Sequence, residues 1–323
     1  MIKIKAILLL FATVILAACS SEKLNETSVI DEGRKQIATT ELDKWILENI
    51  TIPYGIEVVY RWEKNAGSTG SYIYPPKLEN VREVLEAVRV MGLETYRLKE
   101  TGGEKLLLGR LPIKLYLYGG GNPDTHGVER LNNPQLTAKE MCIYHVDDFN
   151  PADKDKVFVL MRSVHHQLAK CLMLHIAYDR DKFSMISKQR YTGSTESLAA
   201  PLSYARTGKE RFELDSYANK RGFYTMLGFL SPEDDFAEII SATLTSTPKE
   251  VYDASITAQT PDTDIDPEVN ARYAEEAKQA YKEFTEKQSF VNEYVLKSWH
   301  INLKQMQVIS IRRINAYIKQ HQR

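Results

Sequence analysis

The chain has 323 residues, 42 basic against 43 acidic, with a formal net charge of −1; 43% are hydrophobic and 10% aromatic. This balance leaves no electrostatic footprint for nucleic acid, and three cysteines are too few for a disulfide-built scaffold. The length suits one large domain or two modest ones.

Lys3 and Lys5 precede an apolar run from Ala6 to Leu16, and Ala17, Ala18 and Cys19 follow. A short charged start, an apolar stretch too short to span a bilayer and a small-residue cut site predict an export signal over 1–18. The order Leu16-Ala17-Ala18-Cys19 resembles a lipobox, in which the thiol receives diacylglycerol, so Cys19 is the expected lipid attachment site. Acyl chains contribute roughly 0.8 kcal/mol per buried CH₂, and several on one residue hold a domain at a membrane. Ser20 follows, not an aspartate that would favour inner-membrane retention, so the outer membrane is the expected address. Residues 19–38 are polar and read as a tether. Residues 39–323 then form the folded part, with no further run long enough to cross a bilayer.

Helical spacing is expected over 41–50, with Leu42, Trp45 and Ile46 on one side, followed by a strand over 56–62. Val81, Val84, Leu85, Val88 and Met91 predict a helix over 80–91. Strands are expected at 112–118, ended by Gly119-Gly120-Gly121-Asn122-Pro123, and at 141–146. A long helix follows from Asp153 to His175, with Val157, Leu160, Met161, Val164, Leu168, Cys171, Leu172 and His175 in one stripe. Residues 191–215 read as loop, 234–244 as helix, 246–267 as a polar connection, and 268–288 and 291–320 as closing helices. Cys142 and Cys171 are expected as buried free thiols.

The informative stretch is His165-His166-Gln167-Leu168-Ala169-Lys170. A zinc-hydrolase helix needs two histidines four apart, so that both imidazoles reach one ion, and a glutamate beside the first to take a proton from bound water. Here the frame is His166-Gln167-Leu168-Ala169-Lys170. By residue type alone, a double histidine on a helix is more often structural.

The surroundings add to that reading. Leu42-Asp43-Lys44-Trp45-Ile46, Pro53-Tyr54-Gly55-Ile56-Glu57-Val58, Tyr60-Arg61-Trp62, Phe183-Ser184-Met185-Ile186-Ser187 and Asp234-Asp235-Phe236-Ala237-Glu238 occur in this order. With the lipobox they resemble the substrate import-associated zinc metallohydrolase lipoproteins, also called putative zinc-binding metallopeptidases, over most of 1–245. The family's motif reads His-His-Glu-Phe-Ala-His. The resemblance implies an α+β, zincin-like scaffold: an N-terminal mixed sheet with an active-site-type helix (39–178) and a mainly helical C-terminal half (179–323). It also implies company with TonB-dependent outer-membrane importers.

Carried over by position, His166 matches the first zinc ligand and Lys170 the second. Gln167 matches the general-base glutamate, Asp234 a third ligand, and Glu238 a carboxylate supporting the site from behind. An amide is no proton acceptor at neutral pH, and an ammonium has no lone pair for a metal. Asp234 is one methylene shorter than the glutamate it replaces. His166 and Asp234 leave two donors where zinc needs about three from the protein. The expectation is therefore no cofactor, with Lys170 paired to Asp234 or Glu238, and an accessory or binding role towards a peptide or glycan. Two alternatives stand beside it: a working zinc peptidase recruiting His165 or His126, and a structural subunit of an importer. His145 is expected within a strand, His175 in the core and His300 packed on a terminal helix. Ser187 and Ser231 lack a nucleophile elbow.

Overall fold

The computed structural model describes residues 40–62, 73–101, 103–125, 127–131, 137, 139–196 and 214–322. The expected signal (1–18), the tether (19–38) with Cys19, and His126 lie outside them. The described residues from Trp45 onward form one compact unit.

Thr40 starts the first helix. Its hydroxyl accepts from the Asp43 amide at 3.2 Å while the Asp43 carboxylate accepts from the Thr40 amide at 2.8 Å, a reciprocal cap. Helix α1 (Glu41–Ile46) passes through a wide turn, Leu47–Thr51, into Ile52–Tyr54. Gly55, at φ +70°, ends it in the left-handed region that glycine enters without steric cost.

Strands β1 (Glu57–Val59), β2 (Lys114–Leu117) and β3 (Glu140–Ile143) form a sheet in the order β1-β2-β3. Both pairings are parallel, which corrects the expected mixed sheet among the described residues. Alternating hydrophobicity reports which face a side chain takes, not the direction of the strand. Helix α2 (Leu78–Ala87), extended by a wide turn over Val88–Leu93, lies between β1 and β2 in sequence.

Helix α3 (Lys154–His175) begins at Asp153, whose carboxylate accepts from the Asp155 and Lys156 amides. Its apolar stripe is buried as far as Leu172, but so are Arg162, His166 and Met173 on the other side. The helix is enclosed because neighbours reach it on several faces. Gly92 makes one approach possible, since a Cβ there would lie 2.8 Å from Val164 Cγ1. His175 closes the helix and is exposed, so it is not the core histidine that the stripe predicts.

The second half is helical: α4 (Arg180–Ile186), α5 (Pro232–Thr245), α6 (Pro248–Gln259), α7 (Pro267–Tyr294) and α8 (Leu303–His321). Helix α6 occupies part of the expected polar connection. Thr247 accepts from the Glu250 amide and Glu250 accepts from the Thr247 amide, so the Thr-Pro dipeptide is a helix start. Helix α7 also runs past the expected break near 290, through a wide turn over Val295–Trp299. The break falls at His300, which is exposed at φ +58° and not packed within a helix. His145 likewise lies beyond β3, at φ +60°, not within a strand.

A buried pair ties α7 to α5. Lys287 Nζ lies 2.9 Å from Asp235 Oδ2 with both side chains fully buried, and the Tyr191 hydroxyl donates to the same oxygen at 2.8 Å. The ammonium also sits 3.6 Å from the Phe223 ring centroid, where the ring face attracts it. Cys142 and Cys171 are both buried, with no disulfide between them.

Candidate functional site

His166 and Lys170 are four residues apart on α3; Asp234 and Glu238 are four apart on α5. Each pair therefore faces one way from its helix. The two helices pack against each other and bring the four side chains together. His166 Nδ1 lies 2.6 Å from Glu238 Oε1 and Nε2 lies 3.4 Å from Asp234 Oδ1. Of the two carboxylates considered for Lys170, Asp234 receives it: Nζ donates to Oδ1 at 2.5 Å.

Local sequence fixes the carboxylates. Ser231 caps α5, its hydroxyl accepting from the Asp234 amide at 3.0 Å and donating to Asp234 Oδ2 at 2.6 Å, with Pro232 at the first helical position. Glu238 is fully buried and accepts from Thr225 Oγ1 at 2.5 Å and Ser241 Oγ at 3.2 Å. The Ser-Pro-Glu-Asp order is a legible helix start; Thr225 and Ser241 carry no comparable sequence signal.

Burial alone would push the His166 imidazole down, but its hydrogen bonds to Asp234 and Glu238 outweigh it and hold the pKa above the usual histidine range. Burial would raise the Asp234 carboxyl, yet His166 and Lys170 together hold it below the usual carboxylate range. His166 and Lys170 thus face Asp234 and Glu238 directly, through hydrogen bonds and close contacts between the two helices.

The donor set does not fit zinc. Metal binding would need the His166 Nε2 lone pair and an Asp234 oxygen, and Lys170 brings a positive charge to that same oxygen. Glu238 holds the far nitrogen of His166, as carboxylates do behind metal-bound histidines, but in front of the ring stands an ammonium. Among the described residues no group of three or more His, Cys, Asp or Glu side chains could hold a metal ion.

Gln167, on the neighbouring arc of α3, does not join the cluster's hydrogen bonds. Its carboxamide accepts from the Cys142 amide and donates to the Cys142 carbonyl, both at 2.8 Å. His165 faces elsewhere again, with Nδ1 3.2 Å from Tyr96 Oη and Nε2 3.5 Å from Ser310 Oγ. Burial pushes its pKa down to about 3, so it is a neutral core histidine.

The other candidates serve different ends. His145 pairs with Glu129 at 3.5 Å and Asp148 at 3.4 Å. Ser187 is buried and donates to Glu283 at 2.7 Å. Cavities of 430 and 450 Å³ flank the first half of α3, one walled by Ile143, Tyr144 and Ser163, the other by Phe158, Arg162 and Asn219. His166, Lys170, Asp234 and Glu238 line neither.

Residues 35–304 match the model of a family described as putative zinc-binding metallo-peptidase. No curated protein matches the chain. It is similar to a solved structure titled as a putative zinc-binding metallo-peptidase from Bacteroides caccae, with TM-score 0.59, 20% identity, and coverage of 91% of this chain and 96% of that one. At that identity the likeness speaks for the fold: α+β, mostly helical, with a small parallel sheet.

Proposed function

Because the chain belongs to the family of putative zinc-binding metallo-peptidases, we propose that it is a non-catalytic member, lipid-anchored through Cys19, with an accessory or binding role in TonB-dependent outer-membrane import. One observation carries the reading: the Lys170 ammonium holds the Asp234 oxygen that a metal would need. Zinc sites take N, O and S donors and about three of them from the protein; this cluster offers two and adds a cation. Gln167 compounds the loss, because an amide does not accept a proton from water at neutral pH.

On this reading the zincin-like scaffold is kept while its chemistry is not. A peptide or glycan is the ligand class, the importer the protein partner, and acyl chains on Cys19 the hold on the membrane. The structural-subunit reading has one observation in its favour: the four clustered side chains line neither cavity flanking α3. The peptidase reading loses one proposed ligand, since His165 is turned to Tyr96 and Ser310.

The test is metal content and hydrolysis on the purified mature chain. Zinc well below one per chain after dialysis, with no chelator-sensitive cleavage of a peptide library, is the expected result. Stoichiometric zinc together with chelator-sensitive cleavage overturns it. Cys19→Ala is expected to move the chain from the membrane fraction to the soluble one.

A further inference from the structure

Strand β3 is an outer strand of the described sheet. In a parallel strand, alternate residues turn their N–H and C=O towards the neighbour or away from it. The Tyr118 amide donates to the Ile143 carbonyl and the Ile113 amide to the Lys139 carbonyl, both at 2.9 Å. Lys139 and Ile143 therefore face β2, and Cys142, by alternation, faces outward. Outward backbone groups at a sheet edge are a template for an added strand.

At Cys142 that template is filled. The carboxamide of Gln167 exchanges two 2.8 Å hydrogen bonds with the Cys142 N–H and C=O, as one residue does with its opposite in the hydrogen-bonded pair of an antiparallel ladder. The amide also donates to Ser163 Oγ at 3.1 Å. Gln167 is 7% exposed and Cys142 fully buried. The 430 Å³ cavity walled by Ile143, Tyr144 and Ser163 adjoins this clamp.

We infer that Gln167 acts as a surrogate strand, closing the outer edge of β3 at Cys142 against an extended peptide and so restricting what the chain binds. The amide is required for this. A glutamate would still accept from the Cys142 N–H, but its carboxylate would meet the Cys142 carbonyl with no proton to donate. The same substitution that removes the base therefore supplies the clamp, and the inference holds whether or not the chain binds metal elsewhere.

The test combines residue-level hydrogen exchange of the full chain with anisotropy of a fluorescent decapeptide of alternating lysine and valine. Expected for the unaltered chain are a slowly exchanging Cys142 amide and no probe binding. In Gln167→Ala the Cys142 amide exchanges at least about tenfold faster, the loss of roughly one net hydrogen bond's protection, and the probe binds. Should that variant fail to fold, Gln167→Glu decides: at pH 7.5 its Cys142 amide, corrected for the intrinsic rate, also exchanges at least about tenfold faster than in the unaltered chain, because the carboxylate has no proton for the Cys142 carbonyl. Equal Cys142 protection in the unaltered and altered chains, or a probe that binds both or neither, overturns the inference.

Discussion

Lys170 Nζ and Asp234 Oδ1 lie 2.5 Å apart, joining α3 to α5, and the same oxygen faces His166 Nε2 at 3.4 Å. Asp234 thus stands between His166 and Lys170, with its other oxygen held by Ser231. The lysine side chain is 27% exposed and the aspartate 18%. Loss of one partner is therefore softened by water but not cancelled.

Asp234→Asn and Lys170→Met are each expected to cost about 1–3 kcal/mol, below the roughly 3–5 kcal/mol of a fully buried broken pair. Because the residues touch, the double variant should cost less than the sum of the singles. Urea denaturation of all four proteins reads the coupling. Strict additivity would mean that the pair contributes nothing as a pair.

Zinc affinity should respond to the same position. Lys170→His combined with Asp234→Glu removes a cation and restores an imidazole and the longer carboxylate beside His166. Zinc is expected to bind at least about tenfold tighter than to the unaltered chain, a gain of about 1.4 kcal/mol, by calorimetric titration. An unchanged affinity would show that the two helices hold these side chains in a geometry unusable by metal, whatever their chemistry.

The two adjacent histidines should show opposite pH dependence. His166 has its pKa raised in the fold, so its contribution is complete below the unfolded value near 6.5 and fades as pH rises through the folded value. His165, buried against Tyr96 and Ser310, is pushed down to about 3. Its contribution is complete above 6.5 and is lost as pH falls towards 3, because the unfolded chain takes up a proton that the folded chain refuses. His165→Phe should remove up to one proton's worth of that acid slope, about 1.4 kcal/mol per pH unit. Denaturation midpoints between pH 6.5 and 4 measure it; parallel curves for both proteins would refute the assignment.

Much of this arrangement was legible and some was not, for physical reasons. The 3.6-residue stripe announced α3 almost to the residue, whereas α5, expected over 234–244, starts two residues earlier at Pro232 because Ser231 caps it. Pairings within one helix face follow from spacing, so the faces of His166 with Lys170 and Asp234 with Glu238 were readable. The partner of Gln167 was not, because Cys142 lies 25 residues away in a strand whose outward edge depends on register. Strand direction was hidden for a similar reason. Helix α6 was missed because Thr247 and Pro248, common in loops, also form a helix start. His175 fits the stripe by angle, but the helix ends there and leaves it exposed.

The buried pair under the cluster had no sequence signature and yields the largest expected stability effect. Lys287 and Asp235 are fully buried and 2.9 Å apart. Burial lowers the lysine's pKa and raises the aspartate's to about 6, the salt bridge opposing both shifts. Lys287→Met leaves a carboxylate with the Tyr191 hydroxyl as its remaining donor of the two, and should cost about 3–5 kcal/mol at neutral pH. Protonating that stranded carboxyl relieves the penalty, so the variant's deficit should shrink as pH falls towards 5. Adding Asp235→Asn removes the stranded charge and should recover more than half of the loss. If the double variant is instead less stable than Lys287→Met alone, Asp235 supports the fold through Tyr191 and not through the lysine.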